Sequence, residues 1–305
     1  MHIYLPIAEL SINIFVLLGL GFGVGLLTGV FGVGGGFLLT PLLIFIGVPP
    51  PVAVGTTANQ IVASSVSGMV AQLRRGNVDI KMGLVMMAGG FVGSWIGIWL
   101  FGLLQGLGQI DLVIQLSYVV LLGTVGGLMG VEAARTILRQ RRGRPERRLH
   151  EHTWLHGLPF KIRFRRSRLY ISAVLPIGLG LLVGMVASVL GAGGGFFALP
   201  AMIYLIGMPS SIVVGTSLFQ ITFVAANVTF LQAVTNNSVD VVLAFILLVG
   251  GVIGAQFGSR WAIRLPGEQL RGLLAALILG IALKLGFDLV ATPNDLYTVS
   301  VVVAG

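Results

Sequence analysis

Long apolar runs separated by short polar gaps occupy almost the whole chain. They fall at residues 12–33, 36–47, 52–73, 82–103 and 112–134. After a basic stretch they resume at 170–190, 195–207, 211–233, 241–260 and 270–290. A run of roughly 20 apolar residues is the length of a membrane-crossing helix, so the pattern predicts an all-α polytopic membrane protein. Two runs, 36–47 and 195–207, are too short to cross comfortably on their own. Each continues a glycine cluster, Gly32-Val33-Gly34-Gly35-Gly36 in the first case and Gly191-Ala192-Gly193-Gly194-Gly195 in the second.

These clusters belong to an internal repeat. Pro41 and Pro200 lie five residues beyond the last glycine of each cluster, and Val54-Gly55-Thr56-Thr57-Ala58-Asn59-Gln60 returns as Val214-Gly215-Thr216-Ser217-Leu218-Phe219-Gln220. The offset is 159 residues at the glycines, 160 from Gly47/Gly207 to Gln72/Gln232, and 161 at Asp79/Asp240. Gly89-Gly90 and Gly93 pair with Gly250-Gly251 and Gly254. Residues 1–134 therefore read as a first transmembrane repeat, 135–168 as a basic loop, and 169–305 as a second repeat.

Charge placement orients the halves. The loop near 74–81 carries Arg74, Arg75 and Lys81, whereas its equivalent near 234–240 has no Lys or Arg. The loop near 104–111 has none either, yet its equivalent carries Arg260, Arg264 and Arg271. By the positive-inside rule, equivalent loops then lie on opposite sides. The expected architecture is two inverted five-segment repeats, each with a glycine-broken or short helix near the midplane. The alternative is eight spans, with 36–47 and 195–207 folded into re-entrant hairpins.

Composition narrows the class. Apolar residues make up 56% and charged residues 10%, against about 25% charge in soluble domains. The net charge is +9, but twelve of the 19 Lys and Arg lie between Arg135 and Arg168. That concentration is a topology signal and argues against nucleic acid as a partner. The absence of Cys excludes disulfides and thiolate chemistry. No basic region precedes the first apolar run, so a cleaved signal peptide is not expected. No enzyme motif stands out, because no βαβ unit or Walker lysine follows the glycines. His150 and His152 lie in the basic loop, where solvation is a better reading than metal binding, and no metal or other cofactor is expected.

The candidate site follows from the two breaks. Each interior helical glycine costs about 1 kcal/mol against Ala, and broken backbone persists in a membrane only beside protein or a water-filled cavity. A helix restarting after Gly34, Gly35 and Gly36, or after Gly193, Gly194 and Gly195, aims free N–H groups and partial positive charge at the break. Two such starts suit an anion. Thr56, Thr57, Asn59 and Gln60, with Thr216, Ser217 and Gln220, are the neutral side chains placed to join them. Thr56 and Gln60 share a helix face, as do Thr216 and Gln220. Asn59 has no polar counterpart, since Phe219 stands there. The alternatives are that the glycines serve helix packing and the glutamines inter-helix hydrogen bonds. Apart from Glu132, Lys284 and Asp288, the span interiors hold no ionisable group. That leaves a small anion, rather than a metal ion or sodium, as the expected substrate.

At the G-x-G-G-G-F/x-x-x-P pattern, the V-G-T-[TS] pattern and their duplication, the chain resembles the sulfite exporter TauE/SafE family, also called a sulfonate uptake permease family. The resemblance implies a multi-pass transporter of the cytoplasmic (inner) membrane, and the positive-inside rule puts the basic loop 135–168 on the cytoplasmic side. It implies movement of sulfite, sulfoacetate or another organosulfonate; the repeats suggest alternating access around a fixed site, with coupling either absent or through a proton travelling on the substrate. A related branch moves thiosulfate with intramembrane cysteines, and this chain has none. A passive anion channel and a membrane scaffold without substrate are the rival functions.

Overall fold

The structure is a computed structural model that describes residues 2–31, 35–141, 161–164, 166–167, 169–236, 238–261 and 267–290. A β-hairpin, β1 (His2–Leu5) and β2 (Leu10–Asn13), leads into α1 (Ile14–Phe31), α2 (Gly36–Phe45), α3 (Pro50–Arg74), α4 (Ile80–Gly106) and α5 (Ile110–Arg141). A second hairpin, β3 (Lys161–Phe164) and β4 (Leu169–Ser172), leads into α6 (Val174–Leu190), α7 (Gly195–Tyr204), α8 (Ser210–Leu231), α9 (Val241–Trp261) and α10 (Gly267–Val290). A short π-helical turn, Gln232–Asn236, follows α8.

Each predicted apolar run is a helix, and the protein is an all-α polytopic membrane protein. The two hairpins are additions that the hydropathy pattern did not predict. Among the described residues, Ile80–Gly106, Ile110–Leu128, Ile212–Asn236 and Val241–Gly258 are long and apolar enough to cross a membrane. The two short helices, α2 and α7, have 10 residues each. At 1.5 Å per residue that is ~15 Å, half of the ~30 Å hydrocarbon core.

Glycines decide which helices pair. On α4, Gly89, Gly90, Gly93 and Gly97 are buried, while Leu84, Val92, Trp95, Trp99 and Leu103 form an exposed apolar face suited to lipid. The buried glycines lie against the backbone of α6: Gly89 meets Ile177, Gly93 meets Leu181, and Gly184 of α6 meets Gly90. The same contacts recur between α1 and α9. Gly25 meets Gly251, Gly254 meets Phe22, and Gly258 meets Leu26. An added Cβ at these positions would strike main chain, so only glycine allows the approach. Both pairs run parallel, because the numbers rise together along a row of contacts, 89/177 to 93/181 in one pair and 22/254 to 26/258 in the other.

Other pairs set the remaining directions. Ala58 clusters with Val224 and Val228, Ile61 with Ile221 and Ala225, and Gly68 meets Leu218. The numbers fall on one helix as they rise on the other, so α3 and α8 are antiparallel. Gly126 meets Ile278 while Gly286 meets Val119, so α5 and α10 are antiparallel too. Gly83 meets Phe219 and Gly90 meets Val224, which makes α4 and α8 parallel.

Two buried aspartates fasten the hairpins. Asp79 caps α4, its Oδ1 accepting from the Met82 N–H at 3.1 Å. Its Oδ2 accepts from Ser167 N–H at 3.0 Å and Ser167 Oγ at 2.7 Å, in the turn of the second hairpin. Asp240 repeats this for α9, accepting from Leu243 N–H at 3.0 Å and from Ile7 N–H at 3.0 Å in the first hairpin. Each hairpin is therefore fixed to the fourth helix of the other half, beside the glycine-packed pair that it precedes.

Candidate functional site

Gly35 and Gly194 open the two short helices with positive φ, 50° and 65°. This left-handed conformation suits glycine because a Cβ would be strained there. Their carbonyls take the first helical bonds: Leu38 and Leu39 N–H donate to Gly35 O, and Phe197 and Ala198 N–H to Gly194 O. The N–H groups of Gly36, Phe37, Gly195 and Phe196 precede these and have no intrahelical acceptor by helix geometry. The two starts face a common centre. Phe37 and Phe196, equivalent in the repeat, stack with ring centroids 5.1 Å apart. Gly34 lies outside the described residues.

An isoleucine holds that centre. The fully buried Ile61 side chain abuts both Gly36 and Gly193. Gln60, the next residue back, points around the helix towards α9, where its amide rests on Gly251. Thr56, one turn earlier on the same face, accepts the Asp240 N–H at 3.1 Å. On α8, Thr216 accepts the Asp79 N–H at 3.0 Å, and Val224 meets Gly90. Gln220 sits between them on that face. The glutamines thus flank the α3–α8 pair on opposite sides, with Ile61 and Ile221 between.

Their amides lack the partners that the Thr56 and Thr216 hydroxyls have. Gln60 and Gln220 are both fully buried, and in each Oε1 and Nε2 have no hydrogen-bond partner. A buried unpaired polar atom costs roughly 1–3 kcal/mol, and here two residues at repeat-equivalent positions leave four such atoms. Gln232 shows the contrasting case. Its Nε2 donates to Ser188 O at 2.9 Å, and its Oε1 accepts from Asn236 Nδ2 at 2.7 Å and Ser238 Oγ at 3.0 Å.

The hydroxyls singled out from sequence are engaged in the scaffold. Besides Thr56 and Thr216, Thr57 Oγ1 lies 2.8 Å from Thr40 Oγ1, 3.1 Å from Val54 O and 3.2 Å from Gly191 O. It ties α2 and α3 to the second break. Ser217 Oγ donates back to Val214 O at 3.0 Å. Asn59 is half-buried, while Phe219 in its place packs on Gly83. The sequence did not single out Tyr118, whose Oη donates to Leu190 O at 2.6 Å and holds the entry to the second break. It also passed over Ser65 and Thr229, whose buried hydroxyls have no partner. Neither has a polar repeat counterpart, since Ala225 and Met69 stand there, so symmetry gave no signal.

Known proteins are similar in sequence to this one across most of the chain. The family description "Sulfite exporter TauE/SafE" matches residues 17–285. A protein of Bacillus subtilis (strain 168), named "Probable membrane transporter protein YjnA", is 28% identical over 267 residues, covering 87% of this chain and 97% of that one. A "Probable membrane transporter protein" of Xylella fastidiosa (strain 9a5c) is 29% identical over 280 residues, covering 89% and 94%. "Sulfite exporter TauE/SafE family protein 6" of Arabidopsis thaliana is 34% identical over 79 residues, covering 26% and 18%. No solved structure matches the chain. The chain belongs to the sulfite exporter TauE/SafE family, a family of membrane transporters and not of enzymes.

Proposed function

We propose that this protein is a secondary transporter of a small sulfur-containing anion, such as sulfite, sulfoacetate or another organosulfonate. The observation that carries the proposal is the pair of fully buried, unpartnered glutamine amides at equivalent positions. Each amide offers two N–H donors to an oxyanion without placing a fixed charge in the membrane. The helix starts at Gly35-Gly36 and Gly194-Gly195 add backbone donors and the positive end of a helix dipole. Thr56, Thr57, Thr216 and Ser217 keep the two faces in register, and Asn59 marks where the two half-sites differ.

In this reading the halves are inverted copies that enclose the site. Support comes from helix direction: α3 runs against α8, and α5 against α10. An eight-span path would make both pairs parallel. Arg74, Arg75 and Arg260 lie at the ends of α3 and α9, Lys81 at the start of α4, and Arg163 and Arg166 in the second hairpin, with Arg166 Nη1 donating to Gly76 O at 2.9 Å. Glu9 and Asp111 lie at the other end. The basic end, with loop 135–168, is then cytoplasmic. Substrate passes by alternate exposure of the glutamines to the two sides, which requires the Ile61–Ile221 contact to open.

The test is uptake of labelled sulfite and labelled sulfoacetate into proteoliposomes of the purified protein, with and without an imposed proton gradient. Saturable uptake of either, accelerated by the same anion loaded on the far side, is the expected result. Non-saturable flux without such acceleration contradicts a carrier.

A further inference from the structure

The buried glycines of α9 have two different neighbours. A Cβ built at Gly250 would meet Leu18 O and Phe22 N, and one at Gly254 would meet Phe22 O, all backbone of α1. A Cβ at Gly251 would instead meet Gln60, with Nε2 first and then Cδ and Cγ at 3.2 Å. Gly25 of α1 does approach the Gly251 backbone, but the direction in which Gly251 would carry a side chain is filled by the Gln60 amide. That amide has no hydrogen bond to fix it. Its position is therefore set by packing, and the absent side chain at Gly251 is part of that packing. The equivalent glycine of the other half, Gly90, faces the Val224 methyls instead, so the two half-sites are built differently at this point.

We infer that Gly251 is a positioning residue for the anion site: the missing side chain at this point of α9 sets where the Gln60 amide points. This rests on Gln60 being a substrate contact. A methyl group at 251 strikes the amide first, because its three nearest neighbours are all Gln60 atoms and none belongs to α1. Gly250→Ala does the reverse, since its methyl enters the seam.

The experiment is a double-mutant cycle in proteoliposomes, with labelled sulfite as the probe and labelled sulfoacetate in parallel. Gly251→Ala is expected to raise the half-saturating concentration about tenfold, the size of one hydrogen bond to a charged group, with the maximal rate unchanged. In a Gln60→Ala background, Gly251→Ala is expected to add nothing. Should Gly251→Ala lower the unfolding midpoint, Gln60→Ala should restore it by removing the clash. A full additional effect of Gly251→Ala on top of Gln60→Ala overturns the inference, as does a lowered midpoint that Gln60→Ala leaves in place. So does normal half-saturation in Gly251→Ala when Gln60→Ala raises it. If Gln60→Ala itself is without effect, or the wild-type protein saturates with neither anion, the site reading falls and the inference falls with it.

Discussion

Gln60→Ala and Gln220→Ala are each expected to raise the half-saturating substrate concentration by about ten- to a hundredfold, without lowering thermal stability. A hydrogen bond to an ionised group is worth roughly 1.5–3 kcal/mol, and 1.4 kcal/mol is a factor of ten. The stability half of the expectation follows from the orphaned amides. Neither amide makes a hydrogen bond in the protein, so truncation removes no internal bond and relieves a buried polar group. Gln232→Ala should behave in the opposite way. It breaks bonds to Ser188, Asn236 and Ser238, and should lower the unfolding midpoint by several degrees while half-saturation stays near normal. Uptake titrations and thermal unfolding of the same three preparations check both halves. A Gln60→Ala protein that unfolds early and transports normally would make that residue part of the scaffold.

Asp79→Ala and Asp240→Ala are expected to be strongly destabilising. Each loses a helix cap worth about 1 kcal/mol and leaves the hairpin's donors without their buried acceptor, roughly 1–3 kcal/mol. Asp79→Asn separates the two roles. The amide oxygen still caps α4, but an NH2 group now confronts the Ser167 N–H and hydroxyl. The expected result is an intermediate loss of unfolding midpoint for Asn and a larger one for Ala, read by thermal unfolding in detergent. Ser167→Ala should resemble the Asn variant. Equal midpoints for wild type and Asp79→Ala would remove this anchor from the account.

Periodicity and duplication made much of this fold legible. The ten runs, the two breaks and the paired glutamines are all visible as patterns, because apolar length and glycine clusters report directly on helices and their interruptions. What the pattern lacks is the identity of each neighbour. Gly25 and Gly251 lie in different halves, and nothing local says that they touch. Thr56 and Gln60 do share a face, as their spacing requires, but only the packing of α9 gives one a backbone N–H and the other no partner. Ile61 looks like any apolar residue of a span, yet its side chain separates the two breaks. Asp79 and Asp240 read as loop residues at matching offsets, since the hairpins they hold are too short to register in hydropathy.

The most direct measurement is equilibrium binding of labelled sulfite and labelled sulfoacetate to purified protein, wild type against the Gln60→Ala/Gln220→Ala double variant. Thermal midpoints of the two proteins are to be measured alongside. The account predicts saturable binding of at least one anion to wild type, and its loss in a double variant that unfolds no earlier. Equal affinity in the two proteins would contradict it.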